Sequence, residues 1–266
     1  MTALDLVLRT TTGWRAGFWN VFRHESRTWW DTRRWWLQLL LWTGVLTAML
    51  QALLWVAEQA GGAAAGPPVG VAEVFPQYIG IAVLLSIIGV VVLNQGVMLD
   101  ERRDGMLEWV LAKPVSRTGM VLAKFAAHGL PTMLILVVVP WAALYGVLTV
   151  NQGEPWPLAD FLTVSGLVGL LLLFTLALTM LLGAWTTSRA FVIGAPIAAG
   201  MLYDSVHVVA RDLAGRLPFP WELTTLATQA AAGADLTSVI PVVATAGWIA
   251  LTVAATAWRF NREQIG

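Results

Sequence analysis

The chain has 266 residues, of which 58% are hydrophobic and 12% are charged, about half the charged share of an ordinary soluble domain. It contains no cysteine, which excludes disulfides, thiolate metal sites and cysteine nucleophiles. The formal net charge is zero, so the positions of the charges carry more information than their sum. Several apolar runs reach the roughly 20 residues that a helix needs to cross a bilayer. We therefore predict an all-α, multi-pass membrane protein.

The N-terminal segment, residues 1–34, combines aromatic and basic residues at helical spacing. Seven of the 15 tryptophans lie in residues 14–42, as in the aromatic belt of a membrane interface. The pattern predicts an amphipathic elbow helix that lies in this interface. Two roles remain open: simple anchoring, or an additional contact with a cytoplasmic partner through Arg23 and Glu25. The residues near the apolar face are Trp14, Phe18, Val21, Phe22 and Trp29.

Residues 35–266 form one predicted transmembrane domain with six spans and no separate soluble domain. The third span contains Pro131 and Pro140, which we expect to break its helix. The fifth span loses its apolar character at Asp204. The predicted spans are Trp35–Val56, Tyr78–Leu99, Phe125–Thr149, Phe161–Thr187, residues 190–204, and Thr237–Trp258.

The basic residues indicate the orientation of these spans. Of the 16 Lys and Arg residues, 14 fall on one side of the predicted membrane, and only Arg211 and Arg216 fall on the other. Cytoplasmic loops carry the excess of Lys and Arg. We therefore expect both termini to lie in the cytoplasm and the protein to lie in the inner, or plasma, membrane.

Polar residues inside two spans are candidates for a translocation path. Asn94 and Gln95 lie near the cytoplasmic end of the second span, where either hydrogen bonding between helices or path lining would explain them. His128 lies one turn into the third span and is expected to be a hydrogen-bonded interfacial histidine.

The fifth span ends with ionisable residues on one helical face. Asp204, His207 and Arg211 are spaced i, i+3 and i+7, directly after Tyr203. Ionisable groups within a membrane usually face the bundle interior or water. These residues therefore form either an outer gate or substrate contact, or simply the outer surface where the helix leaves the bilayer.

A charged island, Asp100–Lys124, separates the second and third spans. It holds 9 of the 32 charged residues in 25 positions. Asp104 can cap a short amphipathic helix, Pro114 ends that helix, and Ser116 can cap the next one. The short helix either fits a groove on a partner protein or forms a solvated turn whose apolar face rests on the bilayer.

The island resembles the signature of ABC-2 type transporter permeases. The resemblance rests on Glu101-x-x-Asp104-Gly105-x-Leu107-Glu108-x-x-Leu111-x-x-Pro114-Val115-Ser116-Arg117, followed by Lys124. Phe22-Arg23-His24-Glu25 is similar to the elbow of that family, and Trp258–Glu263 to its basic ending. The resemblance implies that the island contains a coupling helix that docks on an ATP-binding subunit. The implied coupling residues are Glu101, Arg102, Arg103, Asp104, Gly105, Leu107, Glu108, Trp109, Pro114 and Arg117.

The resemblance also implies the remaining architecture and the partners. It predicts short re-entrant external helices between spans five and six, which residues 217–222 and the amphipathic run 223–232 fit. It predicts a dimer of permeases, either a homodimer or a pair with a close relative, with the first, second and fifth spans at the seam. Two copies of a P-loop ATPase would associate with this dimer, and nucleic acid is not an expected partner.

The chain has no Gly-x-x-x-x-Gly-Lys-[Ser/Thr] phosphate loop. We therefore expect it not to be an enzyme, to bind no metal or other cofactor, and to leave ATP and Mg²⁺ to the partner ATPase. The resemblance implies a permease subunit of an ATP-driven transporter that works as an exporter. The alternatives are a membrane scaffold or sensor and, less readily, an intramembrane enzyme that would use Glu101, Glu108 and His128.

Overall fold

The computed structural model describes residues 17–63, 70–100, 116–209, 218–236 and 238–262, and every regular element within these ranges is helical. An all-α membrane fold is thus confirmed. The elements are α1 (Phe18–Trp30), α2 (Arg34–Ala63), α3 (Val71–Asn94), α4 (Arg117–Met133), a π-helical turn (Leu134–Val138), α5 (Val139–Gln152), α6 (Leu158–Trp185), α7 (Arg189–Val209), α8 (Glu222–Ala231) and α9 (Ile240–Arg262).

Five helical segments among the described residues are long and apolar enough to cross a membrane. They are Arg34–Ala60, Val71–Asn94, Arg117–Gln152, Leu158–Trp185 and Ile240–Arg262. The apolar part of α7, Arg189–Tyr203, is shorter. At 1.5 Å per residue it covers roughly 22 Å, less than the ~30 Å of a bilayer core. The fifth predicted span, and with it the total of six spans, therefore stays a prediction.

The third span is not broken at its prolines, so that expectation was wrong. Pro131 lies inside α4, and Pro140 lies in the first turn of α5. The π-helical turn Leu134–Val138 joins the two helices without interruption. A wider turn lets the backbone pass the missing N–H and the bulky ring of a proline while the helix continues.

Two other helices have limits that differ from those of their predicted spans. The helix of the second span, α3, begins at Val71 instead of Tyr78 and ends at Asn94 instead of Leu99. The first continues to Ala63 instead of ending at Val56. Both helices include a charged residue outside the predicted apolar run, Glu58 and Glu73, because a helix can continue into the interface when its backbone bonds are internal.

α6 lies at the centre of the bundle. It packs against α3, α4, α7, α8 and α9, and it buries residues on several sides, including Leu171, Leu172 and Leu176. A helix that is apolar all round is a buried helix. By contrast, α2 and α9 expose large apolar side chains such as Leu40 and Val243, as expected for surfaces that contact lipid.

The short helix α8 enters the bundle instead of lying on its surface. It packs against α6 and α3 and buries one face. Trp221, just before α8, meets the ring of Phe174 edge-on at 5.4 Å and stacks on Tyr203 at 6.5 Å. Phe174 lies well inside α6, so this position fits a re-entrant helix. The buried residues of α8 are Leu223, Leu226, Ala227, Ala230 and Ala231.

Arginines mark one end of the bundle. Arg34, Arg117 and Arg189 begin α2, α4 and α7, and Arg262 ends α9. Contacts of Asp100 with Arg189 and of Arg117 with the last turn of α9 show that these termini meet. We call this the basic end.

Candidate functional site

The N-terminal helix α1 presents a polar group to α4 at the basic end. Val21, Glu25 and Trp29 recur at i, i+4 and i+8 and so share a face, and α1 packs along α4. One carboxylate oxygen of Glu25 accepts a hydrogen bond from Lys124 Nζ at 2.5 Å, and the other lies 3.2 Å from His128 Nε2. The side chains of Glu25, Lys124 and His128 are only 16%, 4% and 11% exposed.

The surroundings of Glu25 keep its carboxylate charged. Burial by itself raises the pKa of Glu25, but the hydrogen bond with His128 and the charge of Lys124 outweigh it and lower the pKa to about 2. Glu25 is therefore ionised at neutral pH. The carboxylate of Glu25 in turn stabilises the buried ammonium of Lys124, because a buried charge is tolerated when it is paired.

His128 extends the contact to α3. Trp29 Nε1 lies 3.1 Å from His128 Nδ1, and Asn94 Oδ1 lies 3.2 Å from the same nitrogen. Asn94 Nδ2 donates to Thr132 Oγ1 at 3.1 Å and to its own helix at the Val90 carbonyl, 2.9 Å away. Three helices are thus joined by one polar network. Its members, the basal cluster, are Glu25, Trp29, Asn94, Lys124, His128 and Thr132.

The described flanks of the charged island are each fixed to another helix. Asp100, at its start, forms an ion pair with Arg189 at 2.5 Å, and both side chains are about half exposed. Arg117, at its far side, donates to the carbonyl oxygens of Phe260 and Asn261 at 2.7 and 3.0 Å. A cation at these carbonyls stabilises the C-terminus of α9.

Ser116 caps α4. Its hydroxyl accepts a hydrogen bond from the Gly119 amide at 3.1 Å, which confirms the predicted cap. The predicted coupling residues between these flanks lie outside the described residues, so their role stays a prediction: Glu101, Arg102, Arg103, Asp104, Gly105, Leu107, Glu108, Trp109 and Pro114.

The two predicted elbow residues point in different directions. Glu25 is directed into the bundle towards α4, so its carboxylate is not presented to a partner. Arg23 lies on the exposed face of α1, where it borders a shallow cavity of about 250 Å³. The other lining residues are Trp19, Phe22, Ser26, Arg27, Trp30 and Asp31.

The predicted gate or path residues are also separated by the fold. Asn94 bridges helices within the basal cluster. Gln95 Oε1 is buried and has no hydrogen-bond partner among the described residues. Tyr203 lies against Trp221. The side chains of Asp204 and His207, and all of Arg211, lie outside what the structure describes.

Sequence reasoning missed the connection between Glu25, Lys124 and His128. Lys124 and His128 are spaced i, i+4, as are Glu25 and Trp29, and two such pairs on facing helices could have suggested it. Nothing in the sequence states that α1 and α4 face each other. No group of three or more His, Cys, Asp or Glu residues suited to a metal occurs in the described part of the chain.

The chain matches one protein family over almost its whole length. The profile of the family described as "ABC-2 family transporter protein" covers residues 19–265, from α1 to beyond the end of α9. No curated protein matches the chain.

Proposed function

The chain belongs to the ABC-2 family of transporter proteins, and on that premise we propose that it is the permease subunit of an ATP-driven exporter. Hydrolysis takes place on separate P-loop ATPase subunits, which bind ATP and Mg²⁺. The permease works as a homodimer with two ATPase copies in the inner membrane, and its termini and basic end face the cytoplasm. The excess of Lys and Arg at that end supports this orientation.

The observation that carries the coupling proposal is the attachment of both flanks of the island. A force on residues 101–115 reaches α7 through Asp100 and Arg189, and it reaches α9 through Arg117. The island also continues into α4, which the basal cluster ties to α1 and α3. Closure of the ATPase pair would move the island, and these links would carry the motion into several helices together.

The proposed gate lies at the end of the translocation path opposite the basic end. Tyr203 and Trp221 pack where α7 meets the entrance of α8, and Asp204, His207 and Arg211 follow Tyr203 in the chain. Asn94 and Gln95 stand at the other end of the proposed path. An Asp204→Asn variant tests the gate: unchanged transport together with unchanged substrate-stimulated ATPase activity would contradict it.

The coupling proposal is tested by purifying the chain with its ATPase from native membranes. Glu108→Ala and Gly105→Leu should each reduce the recovered P-loop ATPase and abolish ATP-driven transport. Glu73→Ala, at the start of α3 and away from the basic end, is the matched control and should retain both. If the two island variants recover ATPase and transport as fully as the control, the coupling role is wrong.

A further inference from the structure

One nitrogen atom of His128 faces both a hydrogen-bond donor and a hydrogen-bond acceptor. Trp29 Nε1, 3.1 Å from Nδ1, can only donate a hydrogen bond. Asn94 Oδ1, 3.2 Å from the same Nδ1, can only accept one. An imidazole nitrogen either holds a proton and donates, or lacks it and accepts. Nδ1 can therefore satisfy Trp29 or Asn94, but not both together.

The orientation of the Asn94 amide is fixed by its other contacts. Nδ2 donates to the Val90 carbonyl at 2.9 Å and to Thr132 Oγ1 at 3.1 Å. If the amide were turned over, Oδ1 would face the Val90 carbonyl oxygen, and two acceptors would meet without a proton between them. Oδ1 thus stays directed at the histidine ring, and the conflict at Nδ1 remains.

The second ring nitrogen has no such freedom. Nε2 faces the Glu25 carboxylate at 3.2 Å, and an ionised carboxylate only accepts. Nε2 therefore holds a proton in both states of the ring. In the neutral ring, Nδ1 is bare and accepts from Trp29. In the cation, Nδ1 is protonated and donates to Asn94, and the Trp29 indole loses its partner.

Among the described residues, the two charged groups of the basal cluster balance each other. Glu25 from α1 and Lys124 from α4 form one anion and one cation, and Asn94 from α3 is neutral. The π-helical turn carries no charge, and the one charged residue of α6, Asp160, lies in the first turn at the opposite end of that helix. α9 contributes Arg259 and Arg262 in its last turn, close to the contacts of Arg117.

We propose that His128 Nδ1 is a proton-binding site that sets how the elbow helix is attached to the bundle. The proton comes from a hydronium ion in the aqueous phase at the basic end, and this ion becomes a water molecule. Protonation transfers the hydrogen bond of Nδ1 from Trp29 to Asn94. The last turn of α1, which leads into α2, is then released, while Glu25 keeps the middle of α1 docked on α4. The site goes beyond the proposed transport function and does not depend on it.

Nuclear magnetic resonance tests the proton positions directly. The full chain is labelled with ¹⁵N-histidine in a His24→Gln/His207→Gln background, so that His128 is the only histidine. At alkaline pH we expect Nε2 to be protonated and Nδ1 to be bare, and on acidification both become protonated. The indole N–H signal of Trp29, assigned by its loss in Trp29→Phe, should shift over the same pH range.

Spin labels test the movement of α1. Because the chain has no cysteine, Thr28→Cys and Leu130→Cys place two labels at exposed positions of α1 and α4. Acidification should broaden the distance distribution between the labels at the pH where His128 is protonated. Trp29→Phe should give the broad distribution at every pH, since the contact is absent from the start.

Asn94 supplies the matched control. Asn94→Leu, or Asn94→Ala if leucine is not accommodated, removes the acceptor for the protonated Nδ1. The change in the distance between the labels should then occur at a proton concentration at least about tenfold higher, because a charge-assisted hydrogen bond is lost.

Two results would overturn the proton site. One is a neutral His128 ring whose proton sits on Nδ1. The other is a ring that becomes protonated while the Trp29 signal and the label distances stay unchanged. Both measurements use the purified chain without an ATPase, so failure of the coupling proposal leaves them unaffected, and their failure leaves the coupling proposal standing.

Discussion

The basic end and the region around α8 are held together by different forces. At the basic end, charged and hydrogen-bonding side chains join α1, α3 and α4 through specific atoms. Around α8, aromatic rings, small residues and aliphatic side chains fill space between α3, α6 and α7. The stability of the first region depends on the positions of charges and protons. The stability of the second depends on how well the side-chain volumes fill the space between the helices. Each should therefore respond to a kind of substitution that the other tolerates.

The largest effect is expected from breaking the buried ion pair. Lys124→Met leaves the Glu25 carboxylate buried without its ammonium partner, and it should lower the free energy of unfolding by about 3–5 kcal/mol. Chemical denaturation in detergent micelles measures this. The double variant Lys124→Met/Glu25→Leu should recover much of the loss because no buried charge is left. A double variant that is less stable than Lys124→Met would contradict the pairing.

The next effect is a loss of stability in acid. Since the pKa of Glu25 is lowered from 4.5 to about 2 in the folded chain, its contribution is complete above about pH 4.5 and is lost as the pH falls towards 2. The loss should reach up to about 3 kcal/mol. Unfolding midpoints measured across this range check it, and Glu25→Gln should show a flatter curve. An equally steep curve in Glu25→Gln would assign the acid sensitivity to other groups.

A smaller effect is expected from a substitution in the region around α8. A Cβ atom at Gly200 would lie 3.0 Å from Ile87 Cδ1 and 3.5 Å from Trp221 Nε1. Gly200→Leu should therefore destabilise the chain by about 1–3 kcal/mol through overpacking, with no change in its pH dependence. Gly194→Leu, on the same helix with nothing within 4 Å of its Cβ position, is the control. Thermal melting that ranks the two variants equally would mean that α8 does not pack this closely.

The smallest effect is expected at the exposed pair of the basic end. Asp100 and Arg189 are about half exposed, and ion pairs of this kind contribute about 0–1 kcal/mol. Asp100→Asn should barely change the unfolding midpoint, yet it should reduce ATP-driven transport if the pair transmits motion to α7. Normal transport in this variant would remove that link from the coupling path and leave the Arg117 contact and the continuation into α4 as the described connections.

The helices themselves were largely predictable from the sequence. Long apolar runs produce helices in a membrane because every backbone group must be paired internally, and Ser116 was identified as a cap from its position before α4. The continuity of the third span was not predictable. Proline predicts a break, and only the full backbone shows that a π-helical turn accommodates Pro140.

The sequence also supplied the candidates of the basal cluster, but not their partners. Glu25 was assigned to a possible outside contact, Asn94 to packing or a path, and His128 to an interfacial bond. Glu25 and Lys124 are 99 residues apart in the chain, and a local sequence pattern does not show which residues meet across such a separation. The tertiary packing of α1 on α4 directs Glu25 inwards and places Asn94 beside the histidine.

By itself, the sequence determined that this is a helical membrane protein with a charged island, since hydropathy and charge act over short stretches of chain. The tertiary structure decided which charges meet. A carboxylate that looked available to a partner became the buried counter-ion of Lys124, because burial of both groups is tolerated only when they pair. It also placed a donor and an acceptor against one nitrogen of His128, a relation that exists only between side chains from three different helices.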